Sequence, residues 1–147
     1  MLEKLEKYDT IMAKYQKKLG NDIRCPLEYG LTIFGGKWKS GEYPQKLYKA
    51  LMNSQTVLTV WDDARLVGLI RVLDDSEMLA QIHYVLVHPE YQGQGIAGRM
   101  VEYIKEKYKN FMYLELMPED KNNVPFYEKH GFHLMENGAA MQICNIN

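Results

Sequence analysis

The chain has 147 residues and a formal net charge of −1, with 46% hydrophobic and 25% charged residues. This length suits one domain with a single core. The near-neutral charge argues against a nucleic-acid or membrane surface, and no apolar run is long enough to span a bilayer.

The N-terminus and the cysteines bear on the cellular compartment of the protein. Residues 1–7 are charged and lack the apolar core of a secretory signal, so we expect no signal peptide. Cys25 and Cys144 are too few to stabilise a fold of this size by disulfides, and they lack metal-ligand spacing. We therefore expect reduced thiols, no metal and a cytoplasmic protein.

The first predicted element is an N-terminal helix. Between residues 1 and 19, apolar side chains from Leu5 to Leu19 recur in steps of three and four, and Gly20 follows as a C-cap. The helix would either pack on its own domain or form a homodimer contact.

Residues 25–40 contain Cys-Pro followed by Gly-Gly-Lys-Trp. This short stretch resembles the opening of HxlR-type winged-helix regulators. No recognition helix follows it, so we do not expect DNA binding. Physically, residues 29–34 suit a strand and Gly35-Gly36 a loop.

The middle of the chain predicts a helix and three antiparallel strands. Residues 44–51 place apolar side chains on one helical face after a proline. Residues 56–61, 66–72 and 78–87 are rich in β-branched and apolar residues and are separated by Asp-containing turns. Gly68, inside the second strand, suggests a close packing contact or a bulge.

The third strand runs into a Gly-rich turn that opens a helix near Gly95. Gly93 and Gly95 lack Cβ atoms, so the backbone can bend and a ligand can approach it closely. The first N–H groups of the helix have no intrahelical partner and lie at the positive end of its dipole. A strand, a Gly-rich loop and a helix N-terminus in this order favour a phosphate site.

Two common phosphate motifs do not fit this turn. No Gly-Lys-Ser/Thr follows, as a P-loop requires. Gly93, Gly95 and Gly98 do match the dinucleotide-binding spacing, but no second parallel unit with a ribose-binding acid follows.

Downstream, the pattern predicts a helix, a strand and a second short helix. The first helix carries Ala97, Val101, Ile104 and Tyr108 on one face. Residues 111–116 suit a fifth strand that pairs parallel with the third, in a right-handed crossover. Residues 122–131 form the second helix, and segments 132–135 and 140–144 would form a closing hairpin.

The Gly-rich turn closely resembles motif A of the GCN5-related N-acetyltransferase (GNAT) superfamily, Gln/Arg-x-x-Gly-x-Gly/Ala. The matching residues are Gln92, Gly95 and Ala97, after the lead-in residues Val87, Pro89, Glu90 and Tyr91. Residues 122–132 resemble motif B of the same family through Phe126, Tyr127, Gly131 and Phe132.

This resemblance implies an α/β (α+β) fold with a central, mostly antiparallel mixed sheet flanked by helices. A splayed parallel strand pair would form the cofactor cleft. We expect a single domain over residues 1–147, with an atypical N-terminal part to residue 40 and the family's core from residue 41.

The resemblance also implies acetyl-CoA as the cofactor. The amides of the turn would hold its pyrophosphate, and its pantetheine would run along the third strand. The expected cofactor-binding residues are Val85, Leu86, Val87, Gln92, Gly93, Gln94, Gly95, Ile96, Ala97, Gly98, Asn123, Phe126 and Tyr127.

Catalysis in this family implies a general acid, and Tyr127 matches its position. An ordinary tyrosine pKa of about 10 keeps the hydroxyl protonated, as a donor to thiolate must be. The N–H near Val85 would polarise the carbonyl oxygen. The family's occasional glutamate base aligns with Gln81, which cannot take a proton. His83 is therefore a candidate base or relay.

Other bases stay open, namely Glu77, Asp75 and a water chain, and an acceptor already neutral would need none. The sequence thus predicts a cytoplasmic acetyltransferase for a small primary amine. The alternatives are a catalytically weak acyl-CoA sensor and, resting on residues 25–40 alone, a transcription regulator. Residues 35–43 and 74–78 would form the acceptor pocket, and they do not identify the acceptor.

Overall fold

A computed structural model of the protein describes residues 5–7, 39–63 and 65–145. The strands are β1 (Leu5–Lys7), β2 (Thr56–Asp62), β3 (Arg65–Asp74), β4 (Leu79–Val87) and β5 (Tyr113–Leu116). The α-helices are α1 (Pro44–Met52), α2 (Ile96–Lys107) and α3 (Val124–Lys129). Short 3₁₀ helices lie at Lys39–Glu42, Pro89–Tyr91 and Lys121–Asn123.

The strands form one mixed sheet in the order β1-β2-β3-β4-β5. The first three neighbouring pairs are antiparallel, and β4 and β5 are parallel. A parallel pair needs a crossover connection, which α2 provides. The predicted mixed, mostly antiparallel sheet with flanking helices is confirmed.

Two apolar clusters cover opposite faces of this sheet, because successive strand side chains point to opposite sides. The α2 face joins strand residues to α2 through Leu58, Val60, Val67, Ile70, Val72, Ala80, Ile82, Ile96, Met100, Val101, Ile104 and Tyr108. The α1 face joins strand residues to α1 through Leu47, Leu51, Val57, Leu66, Leu69 and Leu86. The motif-bearing helices thus lie on one face and α1 on the other.

The sequence predicts a close packing contact or a bulge at Gly68, and the structure has a β-bulge at the next pair along the β2–β3 hairpin and the close contact at Gly68 itself. A Cβ at this position would lie 3.0 Å from Ile96 Cγ2, 3.2 Å from Val60 Cβ and 3.3 Å from Met100 Sδ. Since real Cβ contacts are rarely this short, glycine lets the start of α2 approach the sheet.

A β-bulge at His83 changes the alternation of β4. Arg71 pairs with Tyr84 and Val72 pairs with Ile82, so His83 is an extra residue between them. Before the bulge, Ile82 joins the α2 face, whereas Tyr84 packs on the α1 face. One strand therefore supplies both faces with even-numbered side chains.

The end of α2 is fixed to the sheet by Tyr108. Its hydroxyl donates to Asp74 Oδ2 at 2.6 Å and lies 2.7 Å from Thr56 Oγ1, so the threonine hydroxyl is the donor of that second bond. Burial, together with the bond to Asp74, raises the pKa of Tyr108 to about 12. This contact fixes the C-terminal end of α2 to the sheet.

Two predicted segments differ from the structure. The prediction of an N-terminal helix is wrong at Leu5–Lys7, which pairs with β2 as a strand. At these residues, long-range pairing outweighs local helix propensity. The closing hairpin is also wrong, since residues 132–145 form no strand. Met141 and Ile143 are exposed there, and a strand without buried contacts gains little stability.

The remaining N-terminal predictions lie outside the described residues. They comprise the rest of the helix, the strand at 29–34 and nearly all of the stretch that resembles winged-helix regulators. Among the described helices, none is long and apolar enough to cross a membrane.

Candidate active site

The Gly-rich turn has the open backbone that the sequence predicts. Gly93 and Gly95 have φ angles of +76° and +80°, which residues with a Cβ atom rarely adopt. A Cβ at either position would meet no atom within 4 Å, so the backbone is open to a ligand. The first α-helical bond runs from Arg99 N to Gly95 O at 3.1 Å, and Gln92 Nε2 donates to Val87 O at 3.2 Å.

The lead-in to this turn is tied to the β2–β3 connection. Arg65 pairs with Glu90 at 2.8 Å, and its guanidinium lies over the ring of Tyr91 at 5.5 Å. The Tyr91 hydroxyl donates to Asp62 Oδ2 at 2.6 Å, and this bond raises the pKa of Tyr91. Buried His88 accepts the Glu90 N–H through Nδ1 at 3.2 Å. These contacts hold the loop in position, and sequence reasoning missed Arg65 and Asp62.

The β4–β5 pairing ends where the family's cofactor cleft is expected. Pairing starts at Leu79 with Tyr113 and ends at Ile82 with Leu116. Residues 83–87 extend β4 beyond that point. Their backbone groups on this side can accept an added extended chain, as other sheet edges do. Val85, Leu86 and Val87, which are the predicted cofactor-binding residues of β4, lie in this segment.

Tyr127 lies in α3 and packs against the α2 face. Its ring makes edge contacts with Phe126 at 5.0 Å and Phe132 at 5.9 Å between centroids. Burial raises the pKa of Tyr127, so the hydroxyl stays protonated at neutral pH. Asn123, just before α3, has an exposed side chain.

Helix α3 docks on α2 through Gly98. A Cβ on Gly98 would lie 3.1 Å from the ring of His130, and His130 Nδ1 lies 2.7 Å from Glu102 Oε1. The bond from His130, followed by that from Lys105, lowers the pKa of Glu102. Gly98 therefore has a packing role beside its predicted place in the cofactor loop.

His83 is held by a guanidinium. Arg71 Nη1 donates to His83 Nδ1 at 3.0 Å, and Arg71 Nε donates to Ser54 Oγ at 2.7 Å. Burial and the charge of Arg71 lower the pKa of His83. The neutral ring therefore carries its proton on Nε2, and protonation at Nδ1 would require Arg71 to move.

The other candidate bases lie in the β3–β4 turn, where Glu77 is exposed. Gln81, which aligns with the family's occasional glutamate and cannot take a proton, is exposed on β4. Asp75 Oδ1 accepts the backbone N–H groups of Glu77, Met78 and Leu79 at 2.8 to 3.0 Å. These bonds lower the pKa of Asp75, which stabilises the β3–β4 turn and makes the carboxylate a weak base.

A cavity of about 440 Å³ opens on the α1 face. The described residues that line it come from the first 3₁₀ helix, α1, β3, β4 and the C-terminal segment, namely Ser40, Tyr43, Lys46, Leu47, Ala50, Arg71, Tyr84 and Asn145. Two of these belong to the predicted acceptor loop 35–43, whereas none belongs to 74–78. Sequence reasoning missed Lys46, Arg71 and Tyr84, because no motif marks them.

Known proteins resemble this chain in sequence and in fold. An uncharacterized N-acetyltransferase of Prochlorococcus marinus, described as ycf52-like, is 29% identical over 99 residues, or 64% of this chain. The chain spans only 55% of that relative's length.

Two solved structures share the fold. One is an acetyltransferase of the GNAT family from Streptococcus pneumoniae, with a TM-score of 0.66 and 24% identity over 83% of this chain and 89% of that one. The other is a predicted acetyltransferase with acetyl-CoA from Clostridium acetobutylicum, with a TM-score of 0.59 and 14% identity over 79% and 89% of the two chains.

The sequence model of the Acetyltransferase (GNAT) family matches residues 26–132. This match covers most of the chain and includes both the Gly-rich turn and the helix of Tyr127. The protein therefore belongs to the Acetyltransferase (GNAT) family.

Proposed function

We propose that the protein is a cytoplasmic N-acetyltransferase that transfers the acetyl group of acetyl-CoA to a primary amine of a small molecule. Transfer would be direct, with both substrates bound together. The observation that carries the proposal is the open backbone at Gly93 and Gly95 beside the end of β4, which pairs with β3 but no longer with β5.

The chain offers a binding track of the right chemistry for coenzyme A. The N–H groups of residues 93–98 lie at the positive end of α2, where a pyrophosphate is stabilised, whereas the Gln92 N–H donates to Pro89 O. Leu86 pairs with Leu69 of β3, whereas its neighbours Val85 and Val87 turn their backbone groups to the other side. The groups of Val85 and Val87 would bond the pantetheine arm as an added strand. Asn123 and Phe126, at the start of α3, would flank this track.

Two groups of the chain would act on the reacting atoms. Acetyl-CoA, when bound, supplies the acetyl thioester. The Val85 N–H would donate to the carbonyl oxygen, where negative charge develops during attack. The Tyr127 hydroxyl would donate its proton to the departing thiolate sulfur, a role that its raised pKa supports.

His83 remains a candidate base or relay. Its Nδ1 accepts from Arg71 and its Nε2 carries the proton of the neutral ring, so His83 could take a proton from the amine only if Arg71 moved away from Nδ1. The neutral residue Gln81 supports a second candidate function, a catalytically weak acyl-CoA sensor, because no carboxylate occupies that position.

Replacing Tyr127 by phenylalanine tests the catalytic proposal. Loss of the general acid should lower turnover about a hundredfold or more, while the dissociation constant of acetyl-CoA changes little. Turnover is measured by free-thiol release with an amine library, and cofactor binding by calorimetry.

Tyr103→Phe is the matched control, because Tyr103 is 40% exposed on α2 and is not one of the residues proposed to bind the cofactor or to act in catalysis. Unchanged turnover in Tyr127→Phe would show that Tyr127 is not the general acid. Acetyl-CoA binding by the wild type with no turnover of any amine would favour the sensor.

A further inference from the structure

We propose that the cavity on the α1 face binds the acceptor through an anionic group, a carboxylate or a phosphate. The acceptor would then be a small amine that also carries negative charge. This inference rests on the acetyl transfer proposed above and adds the class of acceptor.

The cavity lies beside the predicted point of reaction. Tyr84 lines it, and the next residue, Val85, carries the N–H assigned to the carbonyl oxygen. Both residues follow Ile82, the last residue of β4 that pairs with β5. An amine held in the cavity would therefore reach the cleft where the strands separate.

The described lining of the cavity is cationic. Arg71 and Lys46 both contribute to it, and none of the described residues in the lining is acidic. The whole chain has a formal net charge of −1, so an excess of basic residues does not explain this local bias. A site of this charge attracts anions and repels polyamines.

Arg71 has neutral partners and unused donors. Its bonds run to Ser54 Oγ and His83 Nδ1, and it lies over the ring of Tyr84 at 5.7 Å. A guanidinium has five N–H donors in a fork that matches carboxylate and phosphate. Burial lowers the pKa of Arg71, so a bound anion would stabilise a charge that the described residues leave without an acidic partner.

Other polar groups of the cavity would complete the site. The Tyr84 hydroxyl donates to Ser40 Oγ at 3.1 Å, which leaves the serine hydrogen free to donate to an anion. The ammonium of Lys46 lies over the ring of Tyr43 at 5.5 Å. A volume of about 440 Å³ is within the range of small-molecule sites.

Matched amines test the charge preference. Amino acids are compared with their carboxamides, and aminoalkyl phosphates with the parent amino alcohols, so the two arms separate carboxylate from phosphate. We expect the anionic member of at least one pair to have a KM lower by about tenfold to a hundredfold. Calorimetry without acetyl-CoA should show the same preference in binding.

Two variants test whether the cavity causes this preference for anionic amines. Arg71→Gln should abolish most of the difference in KM between the paired amines. Lys46→Gln, at an exposed residue, should reduce that difference by about twofold to fivefold. Lys49→Gln, on the exposed side of α1, is the matched control and should leave it unchanged. Thermal unfolding establishes that each variant is folded. If Arg71→Gln does not fold, the result for Lys46→Gln decides the test.

The outcomes separate this inference from the proposed function. Turnover of neutral amines at equal or lower KM would overturn the anionic acceptor while leaving acetyl transfer in place. A preference for anions that survives in both variants would also overturn it, as would weaker acetyl-CoA binding in Arg71→Gln. Failure of the wild type to bind acetyl-CoA would instead remove the proposed function.

Discussion

The two faces of the sheet are built differently, although the same strands supply both. On the α2 face, Met100, Val101 and Ile104 are fully buried, and Gly68 lets the helix approach closely. On the α1 face, a smaller apolar cluster adjoins a polar cavity lined by Arg71 and Tyr84. Tight packing thus supports the helix that would bind the cofactor, and open space lies where an acceptor would enter.

This difference separates what the family shares from what is particular to this chain. Motif residues such as Gly95 and Tyr127 lie on the turn and helices of the α2 face. The cavity residues belong to no motif, so they are free to differ between relatives with different acceptors. We therefore expect substitutions on the two faces to have different consequences.

Filling the closest contact of the α2 face should have the largest effect on stability. Gly68→Ala places a Cβ within 3.0 to 3.3 Å of Ile96, Val60 and Met100, so we expect a loss of about 1 to 3 kcal/mol. Urea unfolding measures it. Ala50→Leu, which adds apolar volume beside the cavity of the α1 face, should cost less stability but impair acceptor binding. Equal stability losses would contradict the contrast between the faces.

A change in the loop should have the next largest effect. Gly95→Ala forces a Cβ into a φ of +80°, which costs about 1 to 2 kcal/mol. Because relaxation of the turn would move its amides, acetyl-CoA affinity should fall, as calorimetry can measure. Gly138→Ala is the control, since its Cβ would make only ordinary contacts, at 3.4 Å or beyond. Unaltered affinity would argue against a pyrophosphate site at this turn.

The smallest effect should come from His83→Gln, in which the amide oxygen can still accept from Arg71. Burial and Arg71 lower the pKa of His83 below its unfolded value of about 6.5. The neutral His83 ring should therefore contribute its full share to the free energy of unfolding above pH 6.5. This contribution should be lost as the pH falls towards the folded pKa. Melting temperatures of variant and wild type should converge or cross as pH falls from 7 to 5.

Turnover by the same variant tests whether His83 is the general base or a proton relay. Near-normal turnover in His83→Gln would show that His83 serves only as the hydrogen-bond acceptor of Arg71. A large fall in turnover would support its role as base or relay. His133→Gln removes an exposed histidine outside the sheet and serves as the control.

The sequence predicted most of what local patterns encode. The strands from Thr56 to Val87 follow from β-branched and apolar residues between turn-forming aspartates. The turn at Gly95 and the helix of Tyr127 follow from glycine spacing and helix signals. These features depend on residues close together in the chain, where steric and hydrogen-bonding preferences act directly.

The missed features depend on pairing between distant segments. Leu5–Lys7 joins the sheet because β2 offers it an edge, and no local pattern shows this. The contact of Arg71 with His83 depends on the register of the β3–β4 hairpin, which the bulge shifts. The cavity combines residues from Ser40 to Asn145, so its charge becomes visible only when these segments meet.

The bulge at His83 decides which face each later residue of β4 serves. Arg71 lies opposite Tyr84 and Val72 lies opposite Ile82, so His83 is the extra residue. If the bulge straightened with His83 retained in the strand, regular alternation would turn Tyr84 towards the apolar α2 face and Val85 towards the cavity. Deletion of His83 would instead keep both pairs in register and leave Tyr84 and Val85 on their present faces. One residue outside every motif thus sets how the cofactor track and the acceptor cavity are placed relative to each other.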